Sequence, residues 1–287
     1  MSRRRDGSGP PRAGATRGRA VPCPAVDHDD AETLEIVVDP ARPSGRTLLA
    51  DGVEQSYVDV ADARYLHFEY VRRIAAAIDV AAPRGAPLTA LHLGGGALTL
   101  PRWLARTRPG SAQRVVERDP AVVELVRRKL PPLPPEVVVV LGDAREALAG
   151  EPSGAYDVVV ADVYRAARMP PHVAALEFAA QAARVLRPDG LYLINLTDLP
   201  PLAHTRAQVA TLRAVFADVC LVADRRMLRG RRYGNVVLAA SPAAGRLPVV
   251  RLATRVAADP VPGIVLHAAT LDAFAAGALP VTDADLG

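Results

Sequence analysis

The 287-residue chain has little lysine, cysteine or aromatic side chain. Lys129 is its only lysine, and the arginines that make up the rest of its 35 basic residues are scattered along the chain rather than gathered on one element. The formal charge of +4 therefore makes no basic face, and no nucleic-acid partner is expected. Two cysteines, Cys23 and Cys220, lie too far apart in sequence to suggest a disulfide framework or a metal site, and no metal is expected. Aromatic residues are 4% of a chain that is 50% hydrophobic, so the core must be built from Ala, Val and Leu. No apolar run approaches the roughly 20 residues that span a bilayer. Arg3-Arg4-Arg5 leads into Gly, Ser and Pro instead of an apolar stretch, so no signal peptide is read. The expectation is a cytoplasmic protein with no membrane partner.

What is present is a sharp change of pattern at residues 88–104. A short apolar run, Leu88 to Leu93, stops at Gly94-Gly95-Gly96, and helical apolar spacing begins at Leu98. Strand, tight turn and helix in that order form a nucleotide-binding unit: glycine permits positive φ and close approach to the backbone, and the helix start offers free N–H groups.

Around it the chain divides into four segments. Residues 1–31, rich in Arg, Gly, Pro and Ala, read as a disordered basic tail. Residues 32–62 read as a small antiparallel β-hairpin element. Its strands are Leu34 to Val38, Arg46 to Ala50 and Glu54 to Val60, with turns at Pro40 to Gly45 and Asp51-Gly52. Leu66, Tyr70, Ile74 and Ile78 recur at helical spacing and predict a helix from about Ala63 to Asp79. From Leu88 to Ala240 seven candidate strands alternate with helices, which gives a doubly wound, mostly parallel Rossmann-like α/β sheet over residues 63–242. Pro188-Asp189-Gly190 marks the stop between the helix at 173–186 and the strand at 191–196. Residues 243–287 read as a C-terminal appendage packed on the sheet.

Ligands of such sheets bind at the carboxyl ends of the strands. Three strands end there in carboxylates. Glu117 is placed to accept from ribose hydroxyls, Asp143 to meet an adenine amine, and Asp162 to point into the same crevice. Asp143 also precedes a helix and suits its N-cap, as Asp119 does before Pro120.

From about Leu48 to Ser241 the chain resembles the spermidine synthases, aminopropyltransferases on a class I S-adenosylmethionine-dependent methyltransferase fold. The residues that carry the resemblance are Asp51-Gly52-Val53-Glu54-Gln55 (D-G-x-x-Q), His67-Phe68-Glu69 (at the place of Y-H-E), Gly94-Gly95-Gly96, Glu117-Arg118-Asp119 (E-x-D), Gly142-Asp143-Ala144 and Tyr156-Asp157-Val158-Val159-Val160-Ala161-Asp162 (Y-D-x-x-x-x-D). The resemblance implies transfer of an aminopropyl group from decarboxylated S-adenosylmethionine to a small-molecule amine, in a homodimer. Gln55, Gly94, Gly95, Gly96, Glu117, Asp143 and Ala144 would hold the nucleoside. Asp162 would accept the proton, with His67 as a second catalytic group, and Glu69, Tyr164 and Arg165 would meet the acceptor. Two departures stand out: Ala97-Leu98-Thr99 follows the glycines where the family has D-G-G, and Asp162-Val163-Tyr164-Arg165 replaces D-S-S-D. An arginine within 4 Å of an ammonium costs about 4 kcal/mol at an effective dielectric near 20, which disfavours a diamine if Arg165 faces the pocket. The alternatives are a methyltransferase that uses intact S-adenosylmethionine and a non-catalytic nucleoside-binding relative.

Overall fold

A computed structural model describes residues 33–164 and 169–286. The expected tail at 1–31 lies outside the described residues. Three strands come first, β1 (Leu34–Asp39), β2 (Arg42–Ala50) and β3 (Val53–Asp59), and then helix α1 (Glu69–Ala81). The alternating region follows as β4 (Thr89–Leu93), α2 (Thr99–Thr107), β5 (Ala112–Glu117), α3 (Pro120–Lys129), β6 (Val137–Leu141), α4 (Ala144–Gly150), β7 (Tyr156–Ala161), α5 (Leu176–Val185), β8 (Leu186–Asp198), α6 (Ala203–Arg213), β9 (Asp218–Asp224), α7 (Arg225–Leu228) and β10 (Gly234–Ser241). The described chain closes with α8 (Val249–Ala257), β11 (Gly263–His267) and α9 (Ala269–Ala275). No helix among the described residues is long and apolar enough to cross a membrane.

The first three strands make an antiparallel sheet in the order β1-β2-β3. Asp51 and Gly52 both take positive φ between β2 and β3, the backbone that a two-residue hairpin requires. Between β1 and β2 the turn is tighter than its composition predicts: Asp39 accepts the Ala41 N–H, and pairing resumes at Arg42.

The large sheet has the order β11-β9-β10-β8-β7-β4-β5-β6. Strands β4 to β8 pair in parallel, and β8, β10, β9 and β11 pair antiparallel. The change of sense follows from connection length, because only the short α7 segment joins β9 to β10 and no long crossover is available there. The C-terminal segment does more than pack on the sheet: β11 pairs with β9 and extends its edge. The Pro188-Asp189-Gly190 signal also behaves differently from expectation. It ends no helix, since α5 has stopped at Val185 and Leu186 already pairs with Tyr156. The three residues sit in an irregularity of β8 before Leu191 pairs with Val158.

Central strands bury both faces, as a sheet covered by helices demands. On β7, Val159 and Ala161 join the layer of α4, α5 and α6, while Val158 and Val160 join that of α1, α2 and α8. The N-terminal sheet closes a third apolar cluster, in which Leu48 and Val58 meet Ala97, Leu98 and Val126.

His92 lies inside β4 against the buried Gln113, with Nε2 2.9 Å from Gln113 Oε1, and desolvation pulls its pKa down to about 4. The native state then binds fewer protons than the unfolded chain between about pH 4 and the ordinary histidine value near 6.5, so stability is lost as pH falls through that window. We expect about 3 kcal/mol of acid sensitivity from this one side chain. Melting curves at pH 7 and pH 5 will check it, because His92→Gln should narrow the difference between them.

Candidate functional site

The sheet reverses its winding between β4 and β7, from which the chain proceeds to β5 and β6 on one side and to β8 on the other. Such a switch point opens a crevice at the strand ends. Gly94 and Asp162 meet there. The Asp162 N–H donates to the Leu93 carbonyl at 2.8 Å and the Gly94 N–H to the Val116 carbonyl at 2.9 Å. Gly94 has φ +90°, and a Cβ on it would lie 2.1 Å from the Asp162 carbonyl oxygen, so only glycine fits.

The turn beyond Gly94 is held by the expected ribose carboxylate. Glu117 Oε2 accepts the Gly95 and Gly96 N–H groups at 2.9 and 3.1 Å, and Oε1 accepts that of Asp119 at 3.0 Å. A carboxylate has about four acceptor directions, so three are filled and one is open. The N-terminal sheet reaches this turn through Ser56, whose hydroxyl lies 3.0 Å from that of Thr99 and against the backbone of Gly96. Gln55, the expected contact, is the extra residue of an irregularity in β3, where Leu48 pairs with Ser56 and Leu49 with Glu54, and its amide turns back to the Val53 carbonyl at 3.4 Å.

Asp143 caps α4, taking the Arg145 and Glu146 N–H groups on Oδ1, while Oδ2 faces His172 Nε2 at 3.6 Å. Ala144 beside it is buried. Ala97, which stands where the family has an aspartate, is 1% exposed in the third apolar cluster, so an acidic group there would be buried.

Asp162 is half-buried at the end of β7. Burial raises its pKa above the ordinary carboxylate value and the Glu117 charge adds to this, while hydrogen bonds from Asn195 and Tyr70 oppose it. Asn195 Nδ2 donates to Asp162 Oδ1 at 2.8 Å, and Asn195 Oδ1 accepts from Asn235 Nδ2 at 3.0 Å. The Tyr164 hydroxyl donates to the Asn195 carbonyl at 2.9 Å, which brings this predicted residue into the Asp162 network.

Of the other expected positions, His67 falls elsewhere and Glu69 is already paired. Helix α1 begins at Glu69 instead of Ala63, because Arg72 binds the Leu66 and His67 carbonyls and holds that stretch out of helical form. His67 is exposed, with its ring stacked on Tyr57 at 4.4 Å over the N-terminal sheet. The side chain of this stretch that meets Asp162 is Tyr70. Glu69 is engaged by Arg232 Nη2 at 3.1 Å and Arg73 Nη1 at 3.5 Å. Arg165 lies outside the described residues.

Sequence reasoning missed Ser56, Tyr70, Asn195, Asn235 and Arg232. Two signals were present. Asn195 interrupts an otherwise apolar strand, and a buried amide needs partners. Tyr70 lies on the buried side of α1, where its hydroxyl must find an acceptor.

No family profile matches the chain. It is 30% identical over 165 residues to a polyamine aminopropyltransferase of Vibrio vulnificus, an alignment covering 56% of this chain and 53% of that enzyme. It is also 30% identical over 213 residues to a polyamine aminopropyltransferase of Synechococcus sp., covering 70% of this chain and 66% of the relative. The matched stretches thus span about half and just under two thirds of these relatives. The crystal structure of a probable spermidine synthase from Corynebacterium glutamicum superposes with a TM-score of 0.81 at 29% identity, over 92% of this chain and 97% of that one. In its strand-end carboxylates, its glycine turn and these comparisons, the chain is similar to polyamine aminopropyltransferases and to a probable spermidine synthase.

Proposed function

We propose that the protein transfers an aminopropyl group from decarboxylated S-adenosylmethionine to a small-molecule amine, with the nucleoside along the glycine turn and Asp162 beside the reacting carbon. The observation that carries this reading is Asp162 itself. It is a half-buried carboxylate at the switch point, with a pKa raised by burial and a 2.8 Å hydrogen bond from Asn195 to hold it. A carboxylate so held suits a general base, because it accepts a proton more readily than an exposed aspartate and is already aligned. The open acceptor direction on Glu117, beside the glycine turn, suits a nucleoside hydroxyl. Asp143 Oδ2, the oxygen that does not cap α4, has only His172 Nε2 near it, at 3.6 Å, and would meet an adenine amine.

The amine nitrogen attacks the methylene carbon next to the sulfonium. The C–N bond forms as the C–S bond breaks, the electron pair passes to sulfur, methylthioadenosine leaves, and Asp162 takes the proton. Much of the rate would come from alignment of the two reactants.

Release of methylthioadenosine from decarboxylated S-adenosylmethionine, on addition of an amine, tests the reading. Thermal shifts with the intact and decarboxylated donors separate it from methyl transfer, because a ligand at 100 times its Kd adds about 2.7 kcal/mol of stability. Selective stabilisation by the decarboxylated form is expected. Preference for the intact form would favour a methyltransferase, and no shift with either would favour a non-catalytic relative.

A further inference from the structure

We infer that the amine accepted at Asp162 carries an anionic group at its far end, not a second ammonium, and that Arg232 sets this preference. The inference rests on the aminopropyl-transfer reading and names its acceptor class.

Two elements lead outward from Asp162. Tyr70 near the start of α1 lies beside Asp162 and Asn235 near the start of β10 belongs to its hydrogen-bond network; Glu69 immediately precedes Tyr70, and Arg232 stands three residues before Asn235, ahead of β10. A diamine held by one ammonium at Asp162 needs a second carboxylate for the other. Glu69 stands nearest in the chain, but Arg232 and Arg73 share its Oε1. Asp224 is bound by Arg226 at 2.9 Å and by the second arm of Arg232 at 3.0 Å. Asp198, at the end of β8, is closed by the Leu199 and Thr205 N–H groups and the Thr205 hydroxyl.

Positive charge is in surplus at this edge. The segment from Arg225 to Tyr233 contains five arginines and no acid. It lies at the carboxyl edge of the sheet, since β10 runs antiparallel to β8 with Gly234 opposite Asp198. Arg225, Arg229 and Arg231 are exposed and have no carboxylate partner among the described residues. Beneath Glu69, Arg73 is 1% exposed and its Nη2 has no hydrogen-bond partner among the described residues. A field of that sign draws an anion and repels an ammonium, and guanidinium forks match carboxylate geometry. Asp162 keeps its part as proton acceptor, so the acceptor retains one amine.

The test uses three amines of one chain length, 4-aminobutyrate, butylamine and 1,4-diaminobutane, titrated by calorimetry into the full chain saturated with methylthioadenosine. This readout needs no turnover, so failure of aminopropyl transfer is seen separately, in an assay of methylthioadenosine release. We expect 4-aminobutyrate to bind at least tenfold more tightly than 1,4-diaminobutane, with butylamine between them. Arg232→Gln should reverse that order by freeing Glu69 for an ammonium, and Arg232→Lys should restore part of the original preference. Arg231→Gln, on an exposed side chain, should weaken 4-aminobutyrate alone if Arg232→Gln fails to fold. Tighter binding of the diamine, equal binding of all three amines, or binding of none overturns the inference.

Discussion

Asp162→Asn is expected to lower turnover by about 10²- to 10⁴-fold, the range that a positioned general base supplies, while methylthioadenosine binding stays within a few-fold of the parent. The geometry makes this a clean test. An asparagine oxygen at the place of Oδ1 still accepts the 2.8 Å bond from Asn195, and its amide nitrogen can donate to the Tyr70 hydroxyl. What vanishes is the proton acceptor. Stability should move the other way. Because burial raises the Asp162 pKa in the folded chain, the native state binds more protons than the unfolded chain between the two values, and keeping the group ionised costs stability above that window. The variant should therefore melt at or above the parent temperature at pH 7. In the parent, activity should fall as pH drops through the raised pKa, with an acid limb above the ordinary aspartate value near 3.9. Undiminished methylthioadenosine release by Asp162→Asn would sink the assignment.

Gly94→Ala is expected to cost about 3 kcal/mol of stability or more and to abolish methylthioadenosine binding. Two effects add at this position. A non-glycine residue at φ +90° is strained by on the order of 1–2 kcal/mol. The new Cβ would also stand 2.1 Å from one backbone oxygen and 2.9 Å from its carbon, both on Asp162, with no flexible side chain to give way. Relief requires the ends of β4 and β7 to separate, which breaks the bond from the Asp162 N–H to Leu93 and displaces the carboxylate. Gly52→Ala is the control. Gly52 has φ +75° but no heavy atom within 4 Å of the new Cβ, so it carries the strain without the clash. In thermal melts Gly94→Ala should fall by about 10 °C and Gly52→Ala by clearly less. Equal losses would show that the contact with Asp162 does not matter.

The strand-end carboxylates were legible because a doubly wound sheet sends every strand end to one edge, so that counting elements suffices to collect Glu117, Asp143 and Asp162. Their roles were less legible. Asp143 caps α4 and Glu117 braces the glycine turn, because backbone N–H groups close by in sequence compete for the same oxygens as any ligand. His67 shows a different limit. Helical spacing predicted a first turn that Arg72 holds unwound, and the register of the motif then pointed to His67 where the structure presents Tyr70. The resemblance made Glu69 an acceptor contact, and nothing within ten residues of it announces Arg232, 163 positions away.

The amino-acid sequence by itself determined the alternation of strands and helices, the glycine turn after β4 and the carboxylates at the strand ends. Those follow from periodicity and local backbone chemistry, which act over a few residues. Only the tertiary structure decided that Gly94 touches Asp162, that Asn195 and Asn235 hold the carboxylate from β8 and β10, and that Arg232 neutralises Glu69. Each depends on strand order, and strand order brings together residues that no local rule connects.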